Sequence, residues 1–322
     1  MRKLLVIYNT SEILCPSNVP HYIDSLRSIL SQTIYDSFGE DFKVAVSGCM
    51  MTDRTKQQLY STFGNHLSYN FVEENLPLSI TFNDTIDRCT ERYGEFEGYL
   101  YVDSGIDFWD PCQRFDALQR LWDVYKSGPY AITNAMPSND DGSSWWGIQY
   151  KQGEDFIFPV GKTTNLHCAI FSQDWKSFYK RVLPDIFASN AMESVFPHMS
   201  AAIHRKNIIT QKVHVKHMTN LDGASGGSRM PSPDRIPMSD TFQTGGQLFK
   251  TKKTIDKKYV EGYQFGAGFE ECVDYWKHDP SKFDSEGYAL DPALKEFYKK
   301  EVYLSQDEFD YRNIRRIFIP GR

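Results

Sequence analysis

Two carboxylates follow a short apolar stretch near position 100. Tyr99 to Val102 favour a strand, and turn residues on both sides indicate that this strand is buried. Asp103 ends the strand, and Asp107 comes four residues later. Open α/β sheets bind ligands at the carboxyl ends of their strands, and hard cations bind to carboxylates together with substrate phosphates. The pattern predicts a metal and diphosphate site at Asp103. The alternative is an Asx turn that only caps the strand.

The segments before Asp103 alternate between strand-like and helix-like patterns. The strand-like segments are short apolar runs, and the helix-like segments carry apolar residues three and four positions apart. Pro20 and Thr52 suit the starts of two of the helices. Such alternation predicts a layered α/β domain with a mostly parallel, mixed sheet flanked by helices. The predicted strands are 3–8, 42–46 and 99–102, and the predicted helices are 22–33, 53–60 and 79–89.

Short polar motifs lie in or at the ends of these segments, and their order along the chain is informative. They are Tyr8-Asn9, a Leu- and Ser-rich helix ending in Gln32-Thr33, then Ser47-Gly48, Asn83 and Asp103-Ser104-Gly105. Over residues 3–218 this order resembles a family 2 glycosyltransferase. The resemblance implies the GT-A fold and transfer of a sugar from a nucleotide-diphosphate donor to a hydroxyl acceptor, with inversion at the anomeric carbon.

The resemblance also implies which side chains bind the donor. Two positions depart from the family pattern: Ser47 stands where the family commonly has a base-binding carboxylate, and Gly105 stands at the third position of its Asp-x-Asp motif. A site with a weakened metal requirement therefore remains an alternative. The expected donor-binding residues are Tyr8, Asn9, Ser47, Asn83, Asp103 and Ser104.

A divalent cation, Mn²⁺ or Mg²⁺, is implied by the same resemblance. Its expected ligands are Asp103, Asp107 in place of the missing second carboxylate, and His217, with His214 as the alternate. His217 follows a strand-like run, 208–213, and imidazole suits Mn²⁺ better than Mg²⁺. The alternative is that both histidines are ordinary surface residues of an exposed strand.

The transfer reaction needs a base to take the proton of the acceptor hydroxyl. Glu193, before a predicted helix at 195–204, is the first candidate and Asp185 the second. A first-turn acidic residue favoured by the helix dipole is the alternative for Glu193. Trp145 and Trp146 follow a polar loop and are candidates for stacking on a sugar, although core packing explains them equally well.

Composition limits the class of protein. The chain has 322 residues, of which 40% are hydrophobic, and a net charge of −6 that argues against general nucleic-acid binding. Its six cysteines lack paired metal-site spacing, so we expect free thiols in a reducing compartment. There is no secretory-signal pattern and no apolar run of the roughly 20 residues that span a bilayer. We therefore expect a cytoplasmic protein, with peripheral membrane attachment left open.

The chain divides into three predicted parts. Residues 1–219 form the catalytic domain, 220–234 a Gly-, Ser- and Pro-rich lid or tether, and 235–322 a mainly helical appendage. Carbohydrate, lipid-linked sugar, protein and modified nucleotide all remain open as acceptors. Two other functions stay as alternatives: a catalytically weakened relative that only binds sugar nucleotides, and a nucleotidyltransferase. The first loop lacks the Gly and basic residues usual in the latter class.

Overall fold

The computed structural model describes residues 1–12, 16–74, 76, 78–108, 115–138, 155–158, 166–185, 192–217, 280–303 and 310–322. Within these ranges the chain forms ten strands and eight α-helices. The strands are β1 Arg2–Ser11, β2 Phe42–Cys49, β3 Ser68–Val72, β4 Phe96–Asp103, β5 Ile106–Asp107, β6 Tyr130–Ser138, β7 Phe156–Phe158, β8 Cys168–Ser172, β9 Lys206–His217 and β10 Arg316–Ile319. The helices are α1 Tyr22–Leu30, α2 Thr33–Phe38, α3 Asp53–Phe63, α4 Leu78–Tyr93, α5 Ala117–Lys126, α6 Gln173–Tyr179, α7 Met192–Ala202 and α8 Ala293–Val302.

The ten described strands form one mixed sheet. Their order is β10-β3-β2-β1-β4-β8-β6-β9-β5, and β7 pairs with β9. Strands β3, β2, β1 and β4 are parallel to their neighbours in this group, whereas β8 is antiparallel to both β4 and β6. The mixed α/β class predicted from the sequence is confirmed.

Helices cover both faces of this sheet. Leu5 and Ile7 of β1 pack into a core with α4, α6, α7 and α8, while Leu4, Val6 and Tyr8 pack into a second core with α1, α2, α3 and α5. The side chains of a strand alternate between its two faces, so the residues on both faces of β1 must be apolar to fill two cores. This explains why the first strand reads as an unbroken apolar run.

The predicted helix at 22–33 is in fact two helices, α1 and α2. Gln32 between them has an extended backbone, and its side chain donates to the carbonyl of Ser28 (3.1 Å) and accepts from the backbone N–H of Leu118 (3.2 Å). The side chain of Gln32, at the break, therefore links α5 to α1. By contrast, Thr52 caps α3 as predicted, since its hydroxyl accepts from the backbone N–H of Thr55.

The C-terminal region returns to the main sheet. β10 pairs antiparallel with β3 and becomes the edge of the sheet, a strand that the sequence analysis did not predict. The helix α8 agrees with the helical pattern expected for this region. Residues 218–279, including the predicted lid at 220–234, lie outside the described residues, so the division into three parts stays a prediction.

Two further expectations concern the environment of the chain. In the part of the chain that the structure describes, no helix combines the length and apolarity needed to cross a membrane. Cys49, Cys89 and Cys168 are buried free thiols. Burial raises the pKa of Cys49 to about 11 and that of Cys89 to about 12, so these thiols stay protonated and unreactive at neutral pH.

Candidate functional site

A line of polar side chains crosses the sheet where the central parallel strands end. The strand pairing places Asn70 opposite Ser47, Ser47 opposite Asn9, and Asn9 opposite Asp103. His167 continues the line, because its carbonyl accepts from the backbone N–H of Asp103 (2.9 Å). We call these five residues, Asn70, Ser47, Asn9, Asp103 and His167, the polar row.

The polar row lies on one face of the sheet. In β1, the side chain of Asn9 points to the same face as those of Leu5 and Ile7. In β4, the side chain of Asp103 points to the same face as those of Tyr99 and Tyr101. These four apolar and aromatic side chains belong to the core beneath α4. The row therefore replaces that core at the carboxyl ends of the strands, which is where open α/β sheets bind ligands.

Asp103 is the only carboxylate of the row, and two side chains hold it. The hydroxyl of Tyr101 donates to Oδ1 (3.0 Å), and Nδ1 of His167 lies 3.2 Å from Oδ2. The side chain of Asp103 is 35% exposed, against 15% for His167. The carboxylate is thus fixed in direction but still open to a ligand.

A buried oxygen beside Asp103 lacks a partner. Oδ1 of Asn9 has no hydrogen-bond partner among the described residues, although the amide group of Asn9 donates to the carbonyl of Ile7 (3.2 Å). Buried polar atoms are usually paired, so this oxygen is suited to a bound molecule.

Tyr8 and Ser104 meet below the row. The hydroxyl of Tyr8 donates to the backbone carbonyl of Ser104 (2.8 Å), and burial raises the pKa of Tyr8 well above its usual range. The phenol therefore stays protonated and secures the turn after Asp103. Ser47 donates to the carbonyl of Thr81 (3.3 Å) and so anchors the first turns of α4 over the row.

Asn83 and Asp185 come together, but in a buried network of their own. The amide group of Asn83 donates to Oδ1 of Asp185 (3.0 Å) and to the carbonyl of Leu183 (2.7 Å), and its oxygen accepts from the backbone of the same segment. Asp185 is fully buried. It also accepts from Arg181 (2.7 Å) and from the hydroxyl of Tyr311 (2.6 Å). This network fastens segments distant in sequence to α4, which favours a structural role for both residues.

Asp107 and His217 lie close together along the backbone. In the antiparallel pair of β5 and β9, Ile106 is opposite His217 and Asp107 is opposite Lys216. The side chain of His217 lies outside the description, whereas His214 is opposite Met136 in the pair of β6 and β9. The end of β9 therefore runs beside the turn that follows Asp103.

Three other predicted site residues lie at the edge of the described residues or outside them. Glu193 is in the first turn of α7, but its side chain is not among those described. Trp145 and Trp146 lie outside the described residues. Their assignments stay predictions.

The ligand set for a cation is partial. In the described ranges no three His, Cys, Asp or Glu side chains cluster in a way that could hold a metal ion. Asp103 supplies one carboxylate, an oxygen ligand of the kind that Mn²⁺ and Mg²⁺ take, and His167 fixes the direction of that carboxylate through Nδ1. Divalent cations in such sites commonly take their remaining ligands from substrate phosphates and water. The residues present fit a cation that is shared with a bound diphosphate.

Sequence reasoning missed three members of this site: His167, Asn70 and Tyr101. His167 directly precedes the apolar strand Cys168–Ser172, and Asn70 is a polar residue in the middle of the buried strand Ser68–Val72. A polar residue within or just before a buried strand was the available signal. Tyr101 could have been found as the residue two before Asp103, since it points to the same face.

Comparison with known proteins identifies the fold. No protein-family model matches the chain, and no curated protein matches it. Among solved structures, the mannosyltransferase PcManGT from Pyrobaculum calidifontis in complex with GDP-Man and Mn²⁺ is 11% identical. That match covers 85% of this chain and 69% of PcManGT, with a TM-score of 0.44.

GalNAc-T7, solved with UDP, GalNAc and Mn²⁺, is 12% identical over 96% of this chain with a TM-score of 0.52. The match spans 57% of the GalNAc-T7 chain, a little over half its length. At this identity the likeness carries the fold alone. The chain has a mixed α/β fold of the GT-A type, as the sequence analysis expected.

Proposed function

We propose that this protein is a glycosyltransferase that moves a sugar from a nucleotide-diphosphate donor to a hydroxyl acceptor, with metal assistance and inversion. The observation that carries the proposal is the polar row, which places one oriented, solvent-accessible carboxylate at the carboxyl ends of the parallel strands. The GT-A type of fold supports it, because GalNAc-T7, a transferase of that fold, was solved with UDP, GalNAc and Mn²⁺.

The nucleotide would lie along the row from β3 towards β4. Ser47 and Asn9 offer hydroxyl and amide groups in place of the carboxylate that the family commonly uses for the base, while the fully buried Asn70 donates to Asp84 (2.9 Å) and Thr85 (2.9 Å) and so fixes α4 at the β3 end of the row. Oδ1 of Asn9 accepts no hydrogen bond within the described structure, so an N–H or O–H of the nucleotide would satisfy it. Neutral partners of this kind bind a base without adding negative charge beside the diphosphate.

Asp103 would hold the cation, with His167 fixing the direction of its carboxylate. Asp107 and His217 remain the proposed additional ligands, since the backbone pairing of β5 with β9 puts them beside the same turn. When bound, Mn²⁺ or Mg²⁺ would neutralise the charge that develops on the leaving diphosphate. The chain itself contributes orientation: Tyr101 and His167 keep both carboxylate oxygens in place before the donor arrives.

Glu193 is the proposed base. Asp185 is the weaker choice because it is fully buried and accepts from Asn83, Arg181 and Tyr311. A base must reach the proton of the acceptor hydroxyl directly or through one water. A base on α7 would lie on the same face of the sheet as the polar row, because α7 packs into the core beneath α4.

The second candidate function is a relative that binds sugar nucleotides without turning them over. Ser47 and Gly105 favour it, because both replace residues that the family commonly uses. A nucleotidyltransferase is the third candidate. It would release pyrophosphate from a nucleoside triphosphate instead of a nucleoside diphosphate from a sugar nucleotide.

Calorimetric titration with UDP, GDP and CMP, in Mn²⁺ and in EDTA, tests the proposal. We expect one diphosphate to bind, more tightly with Mn²⁺, and Asp103→Asn to remove the effect of the metal. Asp123→Asn is the matched control, since Asp123 is an exposed residue of α5 on the opposite face. His217→Ala should also abolish the effect if His217 completes the ligand set.

The chemical outcome separates the three functions. Release of a nucleoside diphosphate from a sugar nucleotide, lost in Asp103→Asn, supports the transferase. Binding without release supports the non-catalytic relative. Absence of nucleotide binding in Mn²⁺ and in EDTA would exclude a donor site at the polar row.

A further inference from the structure

A second polar feature lies at the other end of α4. An open groove of about 500 Å³ runs between the last turns of α4 and the segment that leads into β10. Four arginines line it, Arg88, Arg92, Arg312 and Arg316, with Glu91 as the one acidic lining residue. The chain as a whole carries a net charge of −6, so this concentration of guanidinium groups is a local departure from its acidic character.

This groove shares no lining residue with the polar row, and the two regions meet only where Asn70 of the row donates to Oδ2 of Asp84 (2.9 Å) in the described structure. Ser47 of the row contacts the carbonyl of Thr81 near the start of α4, and Arg92 follows Thr81 by eleven residues. At the rise of an α-helix this separates the two regions by about 16 Å along the axis. On the β10 side of the groove, Arg316 is opposite Val72, the last residue of β3, and Phe318 is opposite Asn70, so the groove runs along the outer edge of the sheet.

A buried carboxylate fixes the floor of the groove. Asp84 is fully buried, and Nε of Arg88 lies 3.7 Å and Nε of Arg316 lies 3.4 Å from its oxygens. Arg316 also donates to the carbonyls of Tyr311 and Ile314. Only 24% of the Arg88 side chain and 13% of the Arg316 side chain are exposed. These two guanidinium groups are therefore held in place before any ligand arrives.

The two other arginines stand at the rim. Arg312 is 73% exposed and forms a bidentate pair with Asp310. Arg92 is exposed and has no ion-pair or hydrogen-bond acceptor among the described residues. Each guanidinium carries five N–H donors, and the carboxylates nearby occupy only part of them. The remaining donors face a groove that supplies a single acidic side chain, Glu91, which is itself paired with Arg88 (2.6 Å).

We infer that this arginine groove binds a phosphate group. Planar guanidinium groups match phosphate oxygens two at a time, and an arginine pre-positioned by a buried carboxylate loses little freedom when it binds. The half-buried side chain of Phe318 and the buried side chain of Ile314 form an apolar wall beside the arginines, which suits a phosphate carried on an organic molecule. This inference can be tested separately from the sugar-transfer proposal, because among the described residues neither Arg92 nor Arg312 has a hydrogen bond or ion pair with Asp84 or with the polar row.

The phosphate can come from a soluble ligand or from a phospholipid headgroup, and two probes distinguish these sources. Calorimetric titration with inorganic pyrophosphate in EDTA tests the soluble form. Co-sedimentation with phosphatidylcholine vesicles, with and without phosphatidic acid, tests the headgroup. The full chain is used in both assays.

The test variant is Arg92→Gln combined with Arg312→Gln. Both residues are exposed and neither touches Asp84, so the fold should be kept. Arg92→Gln alone breaks no ion pair among the described residues and serves if the double variant is disturbed. The matched control is Arg27→Gln with Arg120→Gln, which removes the same charge from two arginines of α1 and α5 on the other face of the sheet.

We expect pyrophosphate, phosphatidic acid vesicles or both to bind, and the test variant to weaken binding about tenfold or more, because charge-assisted hydrogen bonds are lost. The control variant should bind as the wild type does. Binding of pyrophosphate identifies a soluble ligand, and binding of vesicles alone identifies a headgroup. The inference is overturned if neither probe binds, if the test variant binds as well as the wild type, or if the control loses as much affinity as the test variant.

Discussion

Replacing Asp185 with Asn should destabilise the protein without removing a catalytic group. The carboxylate is fully buried and accepts from Arg181 (2.7 Å), Tyr311 (2.6 Å) and Asn83 (3.0 Å). Burial raises the pKa of Tyr311 well above its usual range, so its hydroxyl remains a donor at all accessible pH values. An amide in place of the carboxylate can accept from Tyr311 and Asn83 only by turning its own NH₂ group towards the guanidinium of Arg181.

The expected loss in the free energy of unfolding of Asp185→Asn follows from this mismatch between the amide group and its three hydrogen-bond donors. Removing one partner of a buried ion pair costs about 3–5 kcal/mol. Since 22% of the Arg181 side chain is exposed and can be hydrated, we expect the lower end, about 3 kcal/mol. Tyr311→Phe removes one hydrogen bond and leaves the ion pair, so about 1.5–2 kcal/mol is expected. The double variant should cost less than the sum, because the two residues touch.

Urea unfolding followed by tryptophan fluorescence measures these losses, with Asp123→Asn as a surface control expected within about 0.5 kcal/mol of the wild type. Sugar-nucleotide hydrolysis per folded molecule is measured alongside and should be unchanged in Asp185→Asn. A variant that keeps wild-type stability but loses hydrolysis would refute this reasoning and make Asp185 the base in place of Glu193.

Three further outcomes are expected. His167→Ala should weaken the effect of Mn²⁺ on nucleoside-diphosphate affinity about tenfold, because the carboxylate of Asp103 would lose the imidazole that fixes its direction; calorimetry in Mn²⁺ and EDTA measures it. Gly48→Ala should cost about 1–3 kcal/mol in urea unfolding, since the added methyl group would clash with Met51 and come within 2.9 Å of the ring of Phe71. Burial raises the pKa of Asp87 to about 6, whereas an unfolded Asp loses its proton near 4. Between these two pH values the carboxyl group of Asp87 keeps its proton in the folded state and loses it in the unfolded state. The free energy of unfolding of the wild type should therefore fall by about 2–3 kcal/mol relative to that of Asp87→Asn as pH rises from 4 to 6. If the wild type and Asp87→Asn differ in free energy of unfolding by the same amount at pH 4 and at pH 7, the raised pKa of Asp87 is contradicted.

The elements that the sequence predicted are those with strong local signals. β1, β2 and β4 are apolar runs bounded by turns, and α3 has its cap at Thr52. The position of Asp103 at the end of a buried strand followed from the same signal. These features depend on residues close together in the chain, so a local pattern is sufficient to locate them.

The elements that were missed depend on distant contacts. Gln32 breaks a helical pattern because Leu118 offers it a hydrogen bond from another helix. His167 joins the polar row only because β8 pairs antiparallel with β4. The burial of Asp185 depends on Asn83 and Tyr311, each about a hundred residues or more away. No local pattern in the sequence encodes such neighbours, which is why a candidate base turned out to lie in a packed network.

The pairing of β10 with β3 has a consequence for how the chain folds during synthesis. Ser68 and Gly321, which share a hydrogen bond beside this strand pair, are 253 residues apart. At the usual rates of translation the ribosome needs roughly 10 to 50 seconds to add that many residues. Throughout this interval the outer edge of β3 has unpaired N–H and C=O groups, although β1 and β2 can already pair with each other. A nascent chain with an open strand edge is prone to aggregate, so we expect yields from recombinant expression to rise when translation is slowed or a chaperone is supplied.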